Sequence, residues 1–104
     1  MEFKTLIEQA VAIRNKYANF EKERYGREWS REELMLGFLG DMGDLAKLVQ
    51  AKEGVRNYDD LDNKLAHELS DCLWSIIILA NKYGIDLEAA FVKTMTELDN
   101  HLEE

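Results

Sequence analysis

The stretch Glu68-Leu-Ser-Asp-Cys-Leu-Trp-Ser-Ile-Ile-Ile-Leu-Ala80 decides how this chain folds. It holds no glycine or proline and is apolar on nearly every side of a helix, which predicts the most buried helix of an all-α protein. Its opening residues break the pattern with two acids three apart. On a helix Glu68 and Asp71 lie roughly 60° apart and project from one face. A matching doublet, Asp41-Met-Gly-Asp44, stands in a second apolar segment. Two such helices packed together bring four carboxylates to one point. Desolvation and mutual repulsion are costly there, and a hard divalent cation relieves both.

Outward from these doublets the chain reads as four helices. It has no proline and six glycines, and its apolar residues recur at helical spacing. A first helix is expected from Phe3 into the Glu21 to Tyr25 region, burying Phe3, Leu6, Ile7, Ala10, Val11, Ile13, Tyr17 and Phe20. The second opens at Ser30, with Glu33 completing a capping box, and runs to about Glu53, where Gly54 stops it. Gly54 to Asp60 is a polar connection, and Asp59 or Asp60 caps a third helix that ends at Tyr83 before Gly84. Asp86 caps a fourth helix through Leu87, Phe91, Met95 and Leu98. No repeat or second domain is visible, so residues 1–104 are expected to form one domain.

Composition narrows the function. The chain has 104 residues and a formal net charge of −8, with 21 acidic residues against 13 basic ones. That balance argues against broad contact with duplex nucleic acid, while a bound metal still permits a small phosphorylated ligand. The single cysteine, Cys72, excludes an intramolecular disulfide and a cysteine-based zinc cage, and reads as core. The first residues do not resemble a signal peptide, and the apolar run around Ile76 to Ala80 is too short for a bilayer. The expectation is a soluble, cytoplasmic protein without membrane partners.

Other constellations are weaker. Gly37, Gly40 and Gly43 recur at three-residue spacing around Asp41 and Asp44, a pattern that permits close approach of a helix or ligand at a cost of about 1 kcal/mol per glycine. His67 is expected to diverge from its neighbour Glu68 by about 100° and to be an ordinary surface or boundary residue. His101 lies near the expected frayed end. All-oxygen ligation favours Mg²⁺ or Mn²⁺ over zinc. Trp29, Trp74 and Tyr83 are candidates for stacking on a base, with Trp74 better read as core. Lys93, Glu97 and Asn100 share a face of the fourth helix, and Lys93 and Asn100 are candidate phosphate and sugar contacts.

The run Asp41-Met-Gly-Asp44-Leu45, followed by Glu68-Leu-Ser-Asp71-Cys-Leu-Trp and by Leu79-Ala-Asn-Lys-Tyr-Gly-Ile-Asp-Leu-Glu-Ala-Ala90, resembles the MazG-like all-α nucleoside triphosphate pyrophosphohydrolases. The resemblance spans about Ser30 to Lys93. It implies Mg²⁺-dependent hydrolysis of a nucleoside triphosphate between the α and β phosphates, giving a monophosphate and pyrophosphate. It also implies Glu68 and Asp71 as primary metal ligands and catalytic acids, Asp41 and Asp44 completing the metal site or acting through waters, and a homodimer or homotetramer with a shared helical bundle. Asp41 and Asp44 stand where the family usually has the longer glutamate, and Gly40 stands where a further glutamate is common. The competing reading is a catalytically inactive helical interaction or nucleotide-binding module.

Overall fold

The computed structural model describes residues 1–54 and 59–103. It contains four helices: α1 (Phe3–Tyr25), α2 (Arg31–Lys52), α3 (Leu61–Lys82) and α4 (Leu87–Leu102). The expected bounds hold to within a residue or two, because the local signals act as read. Ser30 Oγ accepts from the Glu33 backbone at 3.1 Å while Glu33 Oε1 accepts from the Ser30 backbone at 3.0 Å, closing the capping box. Asp86 Oδ1 accepts from the Ala89 backbone at 3.0 Å. Gly54 and Gly84 adopt φ of +87° and +67°, the left-handed turn that ends α2 and α3.

The cap of α3 differs from expectation. Asp60 sits at the N-cap position but is itself left-handed, with φ 54°, and its side chain makes no capping bond. Asp and Asn tolerate this conformation. The Asp60 backbone carbonyl receives the Lys64 N–H at 3.1 Å, and its Oδ1 accepts from Asn63 Nδ2 at 2.8 Å. The rest of the expected polar connection, residues 55–58, lies outside the described residues.

Helices α2 and α3 form the principal pair and run antiparallel. At one end Lys52 Nζ lies 2.7 Å from Asp62 Oδ1, and at the other the Arg31 guanidinium stands 4.8 Å from the Tyr83 ring centroid. α1 leans on α3, with the Trp74 indole donating to the Ala10 carbonyl at 3.0 Å and the Tyr17 and Trp74 rings 5.8 Å apart. Within α1, Arg14 and Glu21 form a buried ion pair, and Glu21 also accepts from the Trp29 backbone at 2.8 Å, tying α1 to the start of α2. α4 touches α3 only lightly and buries no residue.

The expected burial of α3 is met at Cys72, Ile77, Ile78 and Ala80, although Leu69, Leu73 and Ile76 remain exposed. The expected apolar face of α1 is only partly covered: Phe3, Ile7, Ala10 and Val11 are half-buried, while Leu6, Ile13, Tyr17 and Phe20 are exposed. The reason is geometric: among the described residues α1 packs mainly on α3, and one helix covers only part of a stripe that wide. The radius of gyration is 16.7 Å, against about 13 Å for a compact domain of this length. Among the described residues no helix is long and apolar enough to cross a membrane.

Candidate metal centre

The two doublets meet because α2 and α3 are antiparallel with their middles side by side. Asp41, Asp44 and Glu68 each offer one oxygen, and these oxygens lie within 4.8 Å of one another. Opposite oxygens around six-coordinate magnesium stand about 4.2 Å apart, so the cluster is close to the span of one small cation. Glu68 Oε2 is buried and has no hydrogen-bond partner among the described residues. A carboxylate oxygen withdrawn from water without a donor is what a cation site leaves behind, and the all-carboxylate donor set suits a hard ion. These residues therefore fit Mg²⁺ or Mn²⁺.

The electrostatics agree. Burial raises the Glu68 pKa, and the charges of Asp71, Asp41 and Asp44 raise it further. Asp41 is raised by burial first, then by Asp71 and Asp44. The Cys72 thiol, buried behind the acids, is pushed up by desolvation and by Asp41, Glu68 and Asp71. Like charges and partial desolvation thus disfavour the ionised, metal-free cluster.

Asp71 stands beside this trio rather than within it. Its Oδ2 lies 3.2 Å from His67 Nε2, one turn back on α3. His67 is an exposed surface residue, as expected; its i,i+4 spacing brings it to Asp71, and it also borders the cleft next to the acids. That spacing was legible; its use was not.

The cleft has a volume of about 360 Å³ and is bordered by Asp44, Lys47, Asn63, Lys64, His67 and Glu68 together with Leu48 and Asp60. Sequence reasoning missed Lys47, three residues after Asp44, a spacing that puts it on that acid's face, whereas Lys64, four before Glu68, is legible from the sequence as sharing one stripe with Glu68 and Asp71. Lys93 and Asn100 are not brought to the acids within the chain. Both are exposed on α4, where Lys93 borders a separate depression with Asp86, Glu88, Ala89 and Val92 and lies 4.0 Å from Glu97. Gly37, Gly40 and Gly43 face open space, with nothing within 4 Å of a Cβ placed on any of them. Trp74 is half-buried as a packing residue, Trp29 stacks on Tyr25 at 5.3 Å, and Tyr83 carries Arg31.

An all-α, four-helix protein with an acidic cluster across its central helix pair is the class that this geometry defines. The family model for the MazG nucleotide pyrophosphohydrolase domain matches residues 30–101. That is more than half of the chain, and the chain belongs to this family. Searches of curated proteins and of solved structures returned no match.

Proposed function

We propose that this protein is a Mg²⁺- or Mn²⁺-dependent nucleoside triphosphate pyrophosphohydrolase that cuts between the α and β phosphates. The observation that carries the reading is the convergence of Asp41, Asp44 and Glu68 within 4.8 Å, with Glu68 Oε2 buried and unpartnered, in a chain of the MazG family. Asp41, Asp44, Glu68 and Asp71 form the metal site, and Glu68 and Asp71 are the acids on which turnover depends. Bound there, the ion supplies neutralisation of the triphosphate and a water of lowered pKa. The water oxygen forms a bond to the α phosphorus, and the bond from that phosphorus to the α–β bridging oxygen breaks. The electron pair leaves with pyrophosphate, and the water's proton passes to a carboxylate of the cluster.

The same reading includes a homodimer or homotetramer. The apolar faces support it: Leu36 and Leu39 of α2, Tyr17 and Phe20 of α1, and Phe91 and Leu98 of α4 are all about half or more exposed. A second copy laid on these faces also gives Lys93 and Asn100 of α4 a route to a nucleotide, and the open Gly37 to Gly43 face a neighbour.

A panel of nucleoside triphosphates with Mg²⁺ or Mn²⁺ tests the chemistry, with light scattering on the same sample. Pyrophosphate and monophosphate in equal amounts from a dimer or tetramer are expected. Orthophosphate as first product refutes the cut, and no product across the panel from folded protein selects the inactive interaction or nucleotide-binding module.

A further inference from the structure

We infer that the cleft beside the acidic cluster holds the β and γ phosphates of the substrate, and that Lys47 contacts them and stabilises the departing pyrophosphate; this rests on the function proposed above. α2 and α3 are antiparallel, so residues after Asp44 on α2 and residues before Glu68 on α3 lie in the same direction from the acids. Lys47 is three residues along α2 from Asp44, and Lys64 is four residues back along α3 from Glu68. At 1.5 Å per residue each lysine is displaced by about one turn, roughly 4.5 to 6 Å, toward the same end of the helix pair.

The cleft of about 360 Å³ therefore has a polarity. Asp44 and Glu68 border its metal end, and Lys47, Asn63, Lys64 and His67 continue the wall beyond them. Asp60 also borders it, with one carboxylate oxygen engaged by the Asn63 amide at 2.8 Å. A nucleobase needs a flat apolar slot, whereas among the described residues bordering this cleft only Leu48 has an apolar side chain. A polyphosphate needs cations and N–H donors, which Lys47, Lys64 and Asn63 of this cleft supply in a chain whose formal net charge is −8.

The ends of the substrate are thereby oriented. With the α phosphate at the carboxylates, the β and γ phosphates run toward Lys47, and the base lies on the opposite side of the acids. When the bond between the α phosphorus and the bridging oxygen breaks, negative charge grows on that oxygen and across the leaving pyrophosphate. Lys47, an exposed ammonium on a rigid helix, meets that charge where it develops. No part of this assignment requires the base to be known.

The test compares Lys47→Ala and Lys47→Arg with the wild type, using inorganic pyrophosphate and the nucleoside monophosphate as separate product inhibitors in the presence of Mg²⁺. Lys47→Ala is expected to weaken pyrophosphate inhibition about tenfold and to leave monophosphate inhibition unchanged, because one charge-assisted contact is lost at one end only. Lys47→Arg should recover most of the pyrophosphate affinity. Lys4→Ala, an equal charge change on α1 outside the cleft, should leave both unchanged. Unaltered pyrophosphate inhibition in Lys47→Ala, or equal weakening for both products, overturns the inference while the proposed function stands. A wild type that releases no pyrophosphate from any triphosphate removes that function and this inference together.

Discussion

Glu21 on α1 and Glu68 on α3 are both carboxylates drawn out of water, yet their surroundings are opposite. Glu21, 4% exposed, meets the Arg14 guanidinium and the Trp29 backbone N–H, so its charge is matched where it is buried. Glu68 meets Asp41, Asp44 and Asp71, and its Oε2 meets no donor. The first arrangement holds α1 to α2; the second stores repulsion that a bound cation relieves. A buried acid is therefore diagnostic through its partners, and burial alone does not separate a structural carboxylate from a binding one.

The strongest way to break this comparison is to neutralise each acid while keeping its shape. Glu68→Gln is expected to abolish most turnover, on the order of 10³-fold, because several kcal/mol of charge stabilisation at the metal depend on it. Its metal-free stability should be unchanged or higher, and the melting-temperature rise produced by Mg²⁺ in the wild type should largely vanish. Thermal melts with and without the ion, alongside activity, check all three. A normal Mg²⁺ shift in this variant would take Glu68 out of the site.

Glu21→Gln should behave in the reverse sense. It leaves Arg14 charged and buried, and losing one partner of such a pair costs about 3 kcal/mol. Urea unfolding should show that loss. The melting-temperature rise on adding Mg²⁺ should persist, since Glu21 is not part of the acidic cluster.

The pH dependence sharpens the contrast with a smaller signal. Asp41 and Glu68 have folded pKa values above their ordinary 3.8 and 4.5. Below those ordinary values both states are protonated, and the acids contribute stability that is lost as pH rises through the raised folded values. The metal-free wild type should therefore lose stability relative to Glu68→Gln across that window. Mg²⁺ at about 100 times its dissociation constant should restore about 2.7 kcal/mol to the wild type. Glu33 runs the other way: the Arg27 hydrogen bond and the Ser30 backbone hold it at about 2, so its contribution is lost only on strong acidification. Equal pH profiles for wild type and Glu68→Gln would show that the cluster carries no stored repulsion.

Much of this was legible before any coordinates. Ser30 and Glu33, Asp86, Gly54 and Gly84 mark helix ends through contacts a few residues apart, and the periodicity of Leu61 to Lys82 specifies its own helix. The family resemblance also lay in short motifs, each within one helix. Asp60 shows the limit even locally, because an acid before a helix can cap with its side chain or enter the left-handed region, and the spacing does not choose between them.

Four helices, their ends and two acidic faces are encoded locally, since helical hydrogen bonds and caps are made between residues near in the chain. Only the tertiary structure decided that Asp41, Asp44 and Glu68 converge while Asp71 pairs with His67, that Lys47 and Lys64 extend the same cleft, and that Lys93 and Asn100 stand apart from it. It also decided that Tyr17, Phe20 and the α4 stripe stay uncovered within one chain. The physical reason is that the relative register and direction of two helices come from packing between residues far apart in sequence, and no periodicity within either helix encodes that alignment.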